Sequence, residues 1–149
     1  MSELMTATHN FGTAPTRGTS AADTFKAALY LTTATVDAST TAYSATNEVS
    51  GTNYTAGGVN VGSWNAPTPT NTSATAGTAF TTPAASITYG TSGSPVTLST
   101  AFNAVLIYNS TQSNKSVSVH TFGSQTITAG TFALTMPTND ATNALIRLA

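Results

Sequence analysis

The sequence predicts an all-β protein, an antiparallel β-sandwich or jelly roll preceded by an extended N-terminal arm. Short apolar runs recur about every ten residues, turn-forming residues separate them, and no stretch has the periodicity of a helix. Threonine is abundant, and it favours strands because its branched Cβ suits a pleated surface. The chain of 149 residues has the length of one domain, which we place at residues 25–149.

The chain carries unusually few charges. Four Lys and Arg residues and five Asp and Glu residues make up 6% of it, against roughly 25% in ordinary soluble domains. A net charge of −1 gives little repulsion between copies, so we expect partners and a homo-oligomer. The sequence has no basic patch for nucleic acid, no run long enough to span a membrane and no signal peptide. We therefore expect a soluble protein that binds neither nucleic acid nor membranes.

Residues 1–24 lack periodicity and are predicted to form the extended arm. Such an arm is either a loose terminus or docked on a neighbour. Met5 and Phe11 are its large apolar side chains, and we expect them to dock as part of an interface. Residues 25–31 then predict the first strand. Its core face comprises Phe25, Ala27, Leu29 and Leu31, so that Lys26, Ala28 and Tyr30 are expected to point away from the core.

The middle of the chain contains turns and short strands. Gly57 and Gly58 predict positive φ or a bulge before a short strand at 59–61. Residues 64–77 are low in complexity, and Pro67 and Pro69 hold them extended, so we predict a long loop or arm. Trp64, Pro67 and Pro69 complete the candidate interface. Short edge strands are predicted at residues 79–81, 86–89 and 96–98.

The C-terminal third contains the predicted core. Residues 103–109 form an almost wholly apolar run bounded by Asn103 and Asn109, which indicates a strand buried on both faces. A wide polar turn joins it to an alternating strand at 116–122. Residues 124–128 and 131–136 are predicted to form a second hairpin around Ala129 and Gly130. An apolar strand at 144–148 is expected to end the chain in the core.

The sequence predicts no catalytic, cofactor or metal site. His9 and His120 have no second ligand at a useful spacing, and no serine stands in a nucleophile-elbow motif. The carboxylates have turn-like contexts in which hydrogen bonds to the local backbone are their ordinary role: Asp23, Asp37, Glu48 and Asp140. We expect no enzymatic activity. The rings of Trp64, Tyr54 and Tyr43 fit a sugar platform, an interface or the core equally well.

Several segments, in order, resemble small virion structural proteins of tailed bacteriophages. They are residues 25–31, 43–51, 54–58, 104–109, 122–123 and 130–132, with Pro137. The similarity covers residues 25–149. It implies a β-rich, non-enzymatic particle component that works by assembly, and such proteins are described as capsid decoration or cement, neck, and tail proteins.

The resemblance makes a capsid decoration or cement protein our leading expectation. Such a protein binds the major capsid protein or other virion subunits and stabilises the head shell, which places it in the virion. A neck, collar or tail structural protein is the alternative within the same class. A carbohydrate- or receptor-binding module is the alternative from another class, with Trp64, Tyr54 and the loop at 64–77 as its contact surface.

Overall fold

The computed structural model describes Phe11 and residues 22–66, 68–69 and 79–148, and this part of the chain is all-β. The nine strands are β1 Phe25–Leu31, β2 Val59–Asn60, β3 Thr68–Pro69, β4 Ala79–Thr81, β5 Ile87–Tyr89, β6 Val96–Asn109, β7 Lys115–Gly130, β8 Phe132–Leu134 and β9 Ile146–Leu148. Every ladder is antiparallel. The all-β class is confirmed, whereas the sandwich or jelly-roll arrangement stays a prediction.

The main sheet has the strand order β2-β1-β6-β7, and its two long strands form the predicted central hairpin. Residues 104–109 are buried throughout, because β6 is an interior strand with apolar layers on both faces. The hairpin tip is wide, as predicted, and its polar residues include Ser113 and Asn114 with positive φ. Asp23 reaches this tip, where it accepts hydrogen bonds from the amides of Asn109 and Gln112.

Both faces of β1 are buried, which corrects one expectation for this strand. Phe25, Ala27 and Leu29 pack into the larger core, as the alternation predicted. Ala28 and Tyr30, which we expected to point away from the core, are buried in a second cluster on the opposite face. The reason is that the segment after β1 folds back over this face. It contributes Ala34, Val36 and Tyr43 to the second cluster.

The long hairpin extends further than its sequence pattern indicated. Residues 96–98, expected as an edge strand, are the start of β6, and Val96 and Leu98 are buried. The β6–β7 ladder contains register shifts, which mark β-bulges. These bulges accompany the breaks in the apolar pattern of the two strands. A bulge lets one strand continue past a residue that breaks the alternation, so that two predicted strands become one.

The predicted second hairpin is wrong. Ala129 has a φ of 46°, but β7 runs through it to Gly130 and remains paired with β6. β8 pairs instead with β5, through the registers Ile87↔Leu134 and Tyr89↔Phe132. This pairing places Phe132 beside other aromatic side chains. The centre of its ring lies 6.0 Å from that of Tyr89 and 5.2 Å from that of Phe102.

The C-terminal strand lies at a sheet edge rather than in the core. The third sheet has the order β3-β4-β9, and Leu148 in β9 is 42% exposed. The buried residue of this segment is Ala144, which lies just before β9. Within residues 64–77, β3 supplies a short paired segment, and Pro69 belongs to it. Met5 and Pro67 lie outside the described residues.

Candidate functional site

The exposed carboxylates have the local roles that their turn contexts predict. Asp37 accepts hydrogen bonds from the amide and the hydroxyl of Ser39, and these bonds lower its pKa. Asp140 accepts bonds from Asn143, Thr138 and the backbone of Thr142, which hold its pKa well below the usual range. Among the described residues no three His, Cys, Asp or Glu side chains are grouped closely enough to hold a metal ion.

Glu48 is half-buried and accepts hydrogen bonds from three positions along the chain. Its Oε2 accepts a hydrogen bond of 2.6 Å from the hydroxyl of Tyr43. Its Oε1 accepts bonds of 2.8 Å from the hydroxyl of Tyr54 and from the backbone N–H of Gly57. A carboxylate with three donors is well satisfied. Glu48 therefore links Tyr43, in the segment that covers the second cluster, to Tyr54 and Gly57.

The chain contains five tyrosines, and each makes a hydrogen bond through its hydroxyl. Tyr30 donates to the carbonyl of Ser44, Tyr89 to that of Ala27, and Tyr108 to that of Gly57. The rings also stack in pairs, Tyr43 on Tyr108 at 4.7 Å and Tyr54 on Tyr89 at 6.1 Å. We call Glu48 and these five residues the tyrosine network. This network could not be recognised from the sequence, because its members are scattered along the chain.

The environment of the network raises the pKa of its phenols. Burial is the main cause, and the negative charge of Glu48 adds to it for Tyr43, Tyr54, Tyr89 and Tyr108. The pKa of Tyr108 is raised to about 12. The phenols of the network therefore stay neutral at neutral pH.

We expect the protein to unfold cooperatively in alkali. Below pH 10 the folded and unfolded chains both keep their phenolic protons, so the stabilisation is fully present. As the pH rises from about 10 to about 12, the unfolded chain releases protons that the folded chain retains, and stability falls. Tyrosinate absorbance should therefore rise in one step together with the loss of far-ultraviolet circular dichroism.

The control for this titration is the same protein in concentrated guanidinium, where all five tyrosines should ionise with a midpoint at about pH 10. A gradual rise with that same midpoint in the folded protein, at unchanged circular dichroism, would contradict the network.

Phe11 and Trp64, two of the candidate interface residues, lie in the chain's own core. The ring of Phe11 stacks on Phe25 at 4.8 Å and meets Trp64 edge-on at 4.6 Å. Phe11 is 8% exposed and Trp64 is 4% exposed. Phe11 therefore packs on its own chain, whereas we expected it to dock on a neighbour. The buried indole Nε1 of Trp64 has no hydrogen-bond partner among the described residues.

Replacing Phe11 with leucine should change the fluorescence of Trp64, the chain's single tryptophan. Leucine keeps much of the buried volume but loses the ring contacts, so the free energy of unfolding should fall by about 1 kcal/mol. The emission spectrum reports the contact directly. Phe132→Leu is the matched control, because the rings near Phe132 are those of Tyr89, Phe102 and Phe122. Identical Trp64 emission in wild type and Phe11→Leu would show that the two rings are not in contact.

The remaining polar features are modest. His120 bonds to Ser118 at 3.0 Å, and burial lowers the pKa of its imidazole. A pocket of about 300 Å³ lies over the second cluster, and its lining includes Tyr30, Val36 and Ser44 but no charged residue. No helix in the described part of the chain could cross a bilayer. These features bring no nucleophile, base and oxyanion donor together.

A further feature of the described surface is the outer edge of β7. β7 ends the main sheet, and its 16 residues are far longer than the usual five or six. No Lys, Arg, Asp or Glu occurs between Lys115 and Asp140.

Comparison of the chain with protein-family models, with curated proteins and with solved structures finds no match.

Proposed function

We propose that the chain is a structural subunit of a bacteriophage particle, in which it works by assembly. The observation that supports this best is the outer edge of β7, where a short stretch around His120 has no backbone partner among the described residues and where no formal charge follows Lys115 in the strand. Natural proteins usually protect such an edge with charges, proline or a covering segment. An edge that pairs with another subunit needs no such protection.

Within this class we propose a capsid decoration or cement protein as the specific role. The similarity to small virion proteins over residues 25–149 supports it, together with the low charge of the surface. Neutral Thr, Ser and Asn side chains can be buried against a shell without the large cost of removing ions from water. A protein that binds the assembled shell and not its free subunits stabilises the shell by mass action.

Copy number in purified particles tests this role. Quantitative mass spectrometry should find the chain in amounts of the same order as the major shell protein. About a dozen copies or fewer would indicate a neck, collar or tail ring instead. Particles that lack the chain should lose resistance to heat and low salt, and absence of the chain from purified particles would overturn the proposal.

The carbohydrate-binding alternative lacks support from its main contact residue. Trp64 is almost fully buried against Phe11 and Phe25, so little of its ring is left for a sugar. The hydroxyl of Tyr54 is bonded to Glu48 and to the N–H of Leu29. Neither Trp64 nor Tyr54 therefore offers the open platform that stacking on a sugar requires.

A further inference from the structure

The hydrogen bonds of β1 determine which backbone groups of the main sheet point to which neighbour. The carbonyl of Leu29 accepts a bond from Val49 N–H, and its N–H donates to the hydroxyl of Tyr54. Both groups of Leu29 are thus turned away from β6. The next residue, Ala28, must point towards β6, where it is paired with Leu106. Leu106 therefore directs its backbone groups towards β1.

The same alternation continues across β6 into β7. Leu106 and Ala104 face β1, so their neighbours on β7, Val119 and Thr121, receive no backbone hydrogen bond from β6. The N–H and C=O groups of Val119 and Thr121 point to the outer edge of the sheet. His120 between them bonds inward. Four backbone groups of this edge therefore have no partner among the described residues.

The chain itself shows that this edge accepts another strand. Tyr43 N–H donates to the carbonyl of Asn114, and Ser116 N–H donates to that of Thr41, so residues 41–43 occupy the edge beside the hairpin tip. Pairing by this segment stops there. The register of β7 against β6 is regular from residue 118 to residue 121 and shifts beyond it. The open part of the edge is therefore short and centred on His120.

We propose that a second copy of the chain pairs with this edge, antiparallel and with its twofold axis at His120. In this register Val119 bonds to Thr121 of the second copy, and Thr121 bonds to Val119 of the second copy. Each of these pairs exchanges two hydrogen bonds, so all four unused groups of both copies are satisfied. The ladder spans residues 118–122, and residues 41–43, which occupy the edge at 114–116, limit it on that side.

Three observations favour a second copy over an unrelated strand. The two outward-facing residues lie symmetrically about His120, so the edge is self-complementary, as a twofold interface requires. The sequence from Ser116 to Asn139 carries no formal charge, and the net charge is −1, so two copies meet without repulsion. One pairing also covers both edges and closes the assembly. The pairing does not depend on the particle role, since it concerns two copies of the purified chain.

Cysteine cross-linking tests the register, because the natural chain has no cysteine. In His120→Cys the two new side chains face each other across the axis, with Cα atoms about 4.5 Å apart, within the range of a disulfide. In the matched control Thr121→Cys they are about 8 Å apart, which is too far. Mild oxidation should give a disulfide-linked dimer for His120→Cys and little for Thr121→Cys. Equal cross-linking of both variants, or of neither, would overturn the register.

Sedimentation equilibrium tests the pairing itself. The wild-type protein should show a concentration-dependent dimer in the micromolar range, as about five paired residues a side give a small interface. Thr121→Pro removes an outward N–H without touching the β6 ladder, and it should shift the protein to monomer at the same concentrations. Thr121→Val keeps the N–H and should remain dimeric.

Two results would exclude self-pairing at this edge. One is a wild-type protein that stays monomeric at the highest concentrations, including the case in which the edge binds only an added β-strand peptide. The other is a dimer that Thr121→Pro leaves unchanged while circular dichroism shows the variant to be folded. Either result leaves the copy number of the chain in particles to be measured independently.

Discussion

Replacing Gly58 with alanine should prevent the protein from folding or destabilise it by more than about 4 kcal/mol. Gly58 has a φ of +76° and lies directly against β1, the strand at the centre of the main sheet. A Cβ at this position would lie 1.8 Å from the carbonyl oxygen of Ala27 and 2.7 Å from the Cα of Ala28. Both atoms belong to buried backbone, which cannot move without breaking the β1–β6 ladder.

Gly62→Ala is the matched control for this prediction. Gly62 has nearly the same φ, +78°, but an added Cβ there would have no heavy atom within 4 Å. The control therefore carries only the backbone strain of an alanine at positive φ, about 1 kcal/mol. Urea unfolding followed by circular dichroism measures both variants. A stability of Gly58→Ala within 1 kcal/mol of Gly62→Ala would show that the contact with β1 is not close.

The features of the fold that depend on local pattern could be predicted from the sequence. Residues 104–108 are consecutive apolar residues, and such a run can be satisfied in a sheet only between two apolar layers. Gly57 and Gly58 adopt the positive φ values that their pairing indicated. In both cases the physical cause lies within a few neighbouring residues, so the sequence contains the whole signal.

The features that depend on distant partners could not be predicted. The residues of β8 and its neighbours do not indicate whether β8 pairs with β7 or with β5. The pairing with β5 depends on Tyr89 and Phe102, which come from other parts of the chain and pack around Phe132. The same holds for the second cluster, since Ala28 and Tyr30 are buried by a segment with few apolar residues. The one available signal for the docking of Phe11 was its size in an otherwise polar arm.

The tyrosine network shows the same limit in the candidate site. Glu48 sits in a polar segment that predicts only a turn, yet it is the acceptor for donors from three positions along the chain. A carboxylate in a chain with so few charges was the signal that could have been used. Such a residue must be either well bonded or functional, because burial of an unpaired charge is costly.

Replacing Glu48 with alanine should lower the free energy of unfolding by about 3 kcal/mol. The substitution leaves the hydroxyls of Tyr43 and Tyr54 and the N–H of Gly57 without their acceptor. Tyr54 and Gly57 are poorly placed to recover a bond from water, because Tyr54 is largely enclosed and Gly57 is buried. Glu48→Gln keeps one carbonyl oxygen as acceptor and should lose only about 1 kcal/mol.

A second readout separates the network from a general loss of packing. The charge of Glu48 raises the pKa of Tyr43, Tyr54, Tyr89 and Tyr108, so its removal should lower the pH at which tyrosinate appears. Asp37→Ala is the charge-matched control, since Asp37 lies in an exposed turn and bonds only to its neighbours. It changes the net charge equally but should leave the alkaline transition in place. If Glu48→Ala and Asp37→Ala were equally stable and titrated alike, Glu48 would not stabilise the fold through its phenol donors.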